Sequence, residues 1–139
     1  ATGCADFQAY YQNLMNNVDG LILPTTILAA RPIDLNSGGL VDLNGEEVDA
    51  FSTYIKHTEY AAVAQSPGIS IPAGVTADGL PIGIEIDAKQ GDDRRLLAIA
   101  ERVGKVLANT PRPPITYAAG QTLLAALPMV VLAALAAIF

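Results

Sequence analysis

The 139-residue chain has no tryptophan, one cysteine and one histidine, and only 8 Lys and Arg against 14 Asp and Glu. Each shortage excludes something. A lone thiol, Cys4, cannot build an internal disulfide framework, and without a CxxC pair or a Cys/His cluster the usual zinc spacings are missing. The net charge of −6 repels phosphate backbones, and no basic patch interleaved with aromatics offsets it, so nucleic acid is not an expected partner. Gly68 to Gly74 carries loop-like glycine spacing but no Lys-Ser or Lys-Thr after it, which excludes a phosphate loop. A Ser-His-Asp arrangement for nucleophilic catalysis is likewise missing. The start, Ala1-Thr2-Gly3-Cys4, has no initiator Met, basic n-region or apolar h-region, and is expected to be the middle of a longer reading frame or a processed product.

What the chain does contain is concentrated between Ser66 and Leu97. Ile69-Ser70-Ile71 and Ile82-Gly83-Ile84-Glu85-Ile86 alternate β-branched residues, and Asp78-Gly79 lies between them, so two strands joined by a turn are predicted. Gly91-Asp92-Asp93 then opens a helix, with Leu96, Leu97, Ala100, Val103, Gly104 and Leu107 at helical spacing. Glu85, Asp87, Asp92 and Asp93 form a carboxylate-rich run, but the glycine turn and ligand spacing of a calcium loop are missing. Asp92 and Asp93 are therefore read as a helix start answered by Arg94 and Arg95.

Upstream, Phe7, Tyr10, Tyr11, Leu14 and Met15 recur as on a helix over Ala5–Asn16, a stripe read as core packing. Leu21-Ile22-Leu23, closed by Pro24, reads as a strand buried on both faces of a largely parallel or mixed sheet. Thr25 to Gly39 reads as a loop, Leu40 to Val48 as a hairpin turning at Asn44-Gly45, and Phe51 to Ala64 as a helix.

Taken in order, S-P-G-I-S-I-P-A-G, D-G-L-P-I-G-I-E-I-D and G-D-D-R-R-L-L-A-I-A resemble the C-terminal portion of amidase signature enzymes, most closely the indoleacetamide and mandelamide hydrolase branch. Asp19-Gly20-Leu21-Ile22-Leu23-Pro24-Thr25 and Val41-Asp42-Leu43-Asn44-Gly45 extend the likeness upstream, so that it covers roughly Phe7 to Leu107. The resemblance implies a partial amidase-signature fold of class α/β, a mixed sheet with flanking helices. It implies acyl transfer through a Ser, a second Ser and a Lys, without metal or organic cofactor. Those three residues belong to a Gly/Ser-rich stretch and an upstream lysine of the family, and this chain has no such stretch, so no catalytic residue is assigned here and no activity is expected from the chain alone.

In that branch the segment ahead of Pro67 reads like I-R-N-T-D-P-G-S-N-A-G-x-P-G. Here His57, Tyr60, Ala61, Ala62, Val63 and Gln65 stand at positions where the branch has polar or flexible residues. By resemblance His57, Thr58 and Glu59 are the candidate substrate-pocket residues. His57 has two readings: a pocket or proton-transfer group, or a half-exposed helix residue beside Glu59.

Asn109 to Pro114 breaks the last helix, and Ile115 to Phe139 carries no charge. As a helix that tail would span about 37 Å, enough to cross a bilayer, although Pro128 interrupts it and its strictly apolar part, Leu123–Phe139, is short for the purpose. The expected layout is a C-terminal part of an amidase-signature domain over 1–109, a Pro-rich linker over 110–114 and an apolar tail over 115–139. The tail has three readings: a C-terminal membrane anchor, a removable lipid-anchor signal, or a helix packed on protein. Two functions are weighed. In the first, the chain is a hydrolase fragment that needs an N-terminal amidase half as partner and meets a small-molecule amide only in the complete enzyme. In the second, it is a non-catalytic remnant that serves as a membrane-tethered interaction or structural domain and self-associates through its strand edges. Location follows the tail: membrane-associated if it is an anchor, cytoplasmic otherwise.

Overall fold

The computed structural model describes residues 2–33 and 39–110. The chain runs α1 (Thr2–Met15), β1 (Leu21–Pro24), β2 (Leu40–Leu43), β3 (Glu46–Asp49), α2 (Ala50–Ile55), α3 (Tyr60–Ala64), β4 (Gly68–Val75), β5 (Pro81–Asp87) and α4 (Asp93–Asn109). The expected α/β character is met. The predicted apolar C-terminal helix and the linker from 111 onward lie outside the described residues. Among the described residues no helix is long and apolar enough to cross a membrane.

Two antiparallel sheets result, one ordered β1-β5-β4 and one pairing β2 with β3. Here the structure corrects the sequence reading. Among the described residues β1 is an edge strand paired antiparallel with β5, not a central strand of a parallel or mixed sheet, and its first three residues are only partly buried. A short apolar run bounded by Pro looks the same in either setting, because periodicity alone does not report what lies beside a strand.

The turn residues explain the two hairpins. Asn44 and Gly45 both take positive φ, 59° and 90°, as a two-residue loop matching the strand twist requires. Between β4 and β5, Gly79 takes a φ of 79°, and Thr76 closes the turn by accepting from Gly79 N–H at 3.0 Å and donating its own N–H to Leu80 O at 2.8 Å. The predicted helix over Phe51–Ala64 is instead two short helices broken at 56–59. α2 starts where Asp49 accepts from Ser52 N–H at 2.8 Å. α3 stops at Gln65, whose left-handed φ of 55° lets Ser66 N–H reach back to Ala61 O at 2.9 Å.

Alternation along β5 divides its side chains between two layers. Ile82, Ile84 and Ile86 point to one face, where Leu96, Ala100, Val103 and Leu107 of α4 cover them. That stripe of four residues at helical spacing accounts for the helix being there. On the other side α1 presents Phe7, Tyr11 and Met15, one turn apart, to Leu21, Tyr60 and Ala64. A third cluster gathers Ile27, Leu28 and Val41 under the β2–β3 hairpin and α2, where Tyr54 donates to Ala29 O at 2.8 Å. Arg95 pairs with Asp19 ahead of β1, not with the acids that start its own helix as the sequence suggested. Both partners are mostly exposed, so the pair contributes little to stability.

Candidate functional site

The second face of β5 is polar, for the reason that makes the first one apolar. Residues facing the same way as Gly83 are Glu85 and Asp87, and their partners across the sheet are Pro72, Ser70 and Gly68 on β4 and Leu23 and Leu21 on β1. Thr25 continues β1 by donating its N–H to Gly83 O at 3.2 Å.

Two glycines make room on this face. A Cβ at Gly83 would stand 2.7 Å from Thr25 Oγ1 and 3.0 Å from Ser70 Oγ, and one at Gly68 would stand 2.8 Å from Asp87 Oδ1 and 3.1 Å from Glu85 Oε1. With no side chain between them, the Thr25 and Ser70 hydroxyls meet at 2.5 Å, and either can donate. Asp87, 1% exposed, accepts from the Tyr11 hydroxyl at 2.6 Å through Oδ2. Its other oxygen, Oδ1, has no hydrogen-bond partner among the described residues.

Burial sets the electrostatics. It raises the Asp87 carboxyl above the ordinary range, against the opposing effect of the Tyr11 hydrogen bond. Glu85 is raised by burial and by the negative charge of Asp87, and the Tyr11 phenol is raised by burial and by its bond to Asp87. The arrangement sets hydroxyls and carboxyls side by side on one sheet face, with the Asp87 end covered by α1 through Tyr11. Among the described residues there is no group of three or more His, Cys, Asp or Glu able to hold a metal ion.

The three residues singled out from the sequence sit in the turn between α2 and α3. Thr58 donates its hydroxyl to Ile55 O at 2.9 Å, within its own turn, and Glu59 is exposed at the start of α3 without capping it. His57 alone turns inward. It lies 5.7 Å from the Tyr60 ring, and its Nδ1 is buried without a partner. Burial, helped by Lys56, lowers its pKa, while the backbone of Pro24 acts the other way. His57 therefore reaches the end of β1, one residue before Thr25.

Sequence reasoning passed over Thr25 and Ser70, read Tyr11 as core packing, and weighed Glu85 and Asp87 only as part of a carboxylate run without the spacing of a calcium loop. The signal for the carboxyls was present in the period-two run Gly83, Glu85, Asp87, which sets them on the face opposite the isoleucines. A polar depression between the end of α1 and the start of α4, lined by Asn16, Asp19, Lys89 and Arg95, is no rival. Lys89 already donates to Asn16 Oδ1 at 2.6 Å and Arg95 already pairs with Asp19.

The fold is similar to that of a solved amidase: the TM-score is 0.61 at 24% identity, over 77% of this chain and 24% of that one. That likeness fixes the fold. The sequence profile of the amidase family matches residues 5–97, and the chain belongs to that family. It is 39% identical over 102 residues to an indoleacetamide hydrolase of Agrobacterium vitis, a match covering 72% of this chain and 21% of the relative. A mandelamide hydrolase of Pseudomonas putida is 44% identical over 66 residues, covering 47% of this chain and 13% of that protein. The chain thus spans about a fifth of the length of the indoleacetamide hydrolases it matches.

Proposed function

We propose that this chain is the C-terminal part of an amidase-family hydrolase and works only together with the part of the fold that carries the Ser-Ser-Lys machinery. Joined to it, the assembly hydrolyses an aryl-acetamide-like amide with water to a carboxylic acid and ammonia. The observation that carries this reading is the family match over residues 5–97 in a chain that spans 21% of an indoleacetamide hydrolase. The polar face of β5 supports it, since Thr25 and Ser70 present paired hydroxyls outward where a neighbouring layer would pack. In this reading His57, Thr58 and Glu59 border the substrate pocket from the α2–α3 turn.

The test is complementation. The segment of the Agrobacterium vitis indoleacetamide hydrolase that precedes the matched region is co-expressed with this chain, and ammonia release from indole-3-acetamide is measured. Activity that needs both pieces is expected. A soluble, stable complex without turnover, or no complex, overturns the proposal. A second reading, a non-catalytic remnant that self-associates and is membrane-tethered by its tail, is favoured by one observation. β1 and β4 are both edge strands of the described sheet, and such edges invite pairing with another chain.

A further inference from the structure

We propose that Tyr11, Asp87 and Glu85 form a proton-sharing latch that fastens α1 to the sheet: one carboxyl of the pair keeps its proton and donates it to the other, and losing that proton loosens α1.

The geometry is specific. Asp87 is 1% exposed, and among the described residues the Tyr11 hydroxyl at 2.6 Å is the hydrogen bond its side chain receives from another element. Asp87 Oδ1, buried and without a partner, faces the narrow space beside Gly68 that Glu85 Oε1 also borders. A buried carboxylate oxygen without a donor is costly, and two carboxylates converging on one space do not both ionise readily. A proton on Glu85 resolves both problems at once by giving Oδ1 a donor and removing the second charge.

Among the described residues no cation competes for that role. From α1 the facing titratable group is Tyr11, and from β5 it is Glu85. β4 brings Gly68 and Ser70, β1 brings Leu21 and Leu23, and α3 brings Ala61 near Gly68, none of them charged. Lys89, two residues beyond Asp87, is drawn away to Asn16. The other side-chain ties of α1 among the described residues do not titrate: Gln8 to Val63 O at 2.8 Å, Gln12 to Ser66 Oγ at 2.9 Å and to Ala64 O at 3.2 Å, and Gln90 N–H to Gln12 Oε1 at 3.3 Å.

The sign follows from burial. Both carboxyls lie above their unfolded values, 3.8 for Asp87 and 4.5 for Glu85, so the docked form holds protons that the undocked form releases first. Docking is therefore strongest at low pH and weakens as pH rises through the raised values. His57, lowered below 6.5, contributes with the opposite sign, so the informative quantity is the difference between the unchanged chain and Glu85→Gln.

The experiment follows the carboxyl carbons of Asp87 and Glu85 by NMR from pH 3 to 9 in the full chain. In parallel, amide exchange in α1 and α4, corrected for intrinsic rates, is compared in the unchanged chain and in Glu85→Gln. Expected are coupled steps with at least one carboxyl above the ordinary range near ~4, and α1 protection falling about tenfold relative to α4 across that step. The fall should flatten in Glu85→Gln. Two carboxyls titrating at ordinary values, or α1 and α4 responding alike to pH in the unchanged chain, overturns the latch. Neither of those readings depends on the variant folding.

Discussion

Thr25 and Ser70 join their hydroxyls at 2.5 Å although they belong to opposite flanks of the sheet, with β5 between them. The contact spans a strand because Gly83 has no side chain to block it. An alanine there would place a Cβ 2.7 Å from Thr25 Oγ1 and 3.0 Å from Ser70 Oγ, below normal contact distance. Gly83→Ala is expected to part the hydroxyls and cost about 1–3 kcal/mol by overpacking, read from the denaturant midpoint. Ser70→Ala, which removes the partner and leaves space, should cost clearly less. Equal losses from the two variants would mean that crowding at Gly83 is not what shapes this face.

Tyr11→Phe isolates the hydrogen bond to Asp87 with little change of volume. The phenyl ring keeps its place between Phe7 and the β5 face, where the two rings stack at 5.7 Å between centroids. What is lost is the donor to a buried acceptor, which costs about 1–3 kcal/mol where the remaining group stays unpaired. Adding Asp87→Asn to Tyr11→Phe should rescue part of that loss, because an amide supplies no charge to be left without a donor. Thermal melts of the two single variants and the double variant give the comparison. A Tyr11→Phe melt indistinguishable from the unchanged chain would show that the bond contributes nothing.

Much of the fold was readable because local rules and tertiary packing agree there. Asn44-Gly45 and Asp78-Gly79 specify their turns through backbone geometry alone, and Leu96, Ala100, Val103 and Leu107 announce the buried face of α4 through spacing. The break at 56–59 was hidden because Phe51, Tyr54 and Ile55 continue a helical period into Thr58 and Ala62. The edge position of β1 was hidden because Leu21-Ile22-Leu23 says nothing about neighbours far away in sequence. At the candidate site, Asp87 meets Tyr11 from 76 positions away in the chain. Only the fold brings a helix near the N-terminus onto the end of β5, so this pairing had no local signature.

Asp49 and His57 should both show in the acid limb of the stability profile, by different routes. Asp49 is lowered below 3.8 by its bonds to Ser52, so its contribution is present above 3.8 and lost as pH falls through its folded value. His57 is lowered below 6.5, so stability already declines as pH falls from 6.5 towards its folded value, when the half-buried ring must take up a proton. Asp49→Asn keeps an N-cap acceptor but cannot titrate, and His57→Gln keeps a polar side chain of similar reach. Melts from pH 3 to 8 should flatten below 3.8 in the first and below 6.5 in the second. Profiles parallel to the unchanged chain would remove these two groups from the account of acid loss.

Leu107 and Leu97 lie on the same helix with the same side chain, and differ only in what surrounds them. Leu107 is 1% exposed against Ile82, Ile84 and Ile86, whereas Leu97 is 59% exposed on the outer side of α4. Truncation to alanine removes the same atoms in both cases, so the difference measures packing. At position 107 it leaves a cavity in the cluster that holds α4 to the sheet and should cost about 2–5 kcal/mol, while at position 97 it should stay within about 0.5 kcal/mol. Urea unfolding of both variants tests this directly. A small effect at Leu107 would mean that α4 does not hold the sheet on its own side. The polar face of β5 would then have no fixed backing on which Thr25, Ser70, Glu85 and Asp87 could be positioned.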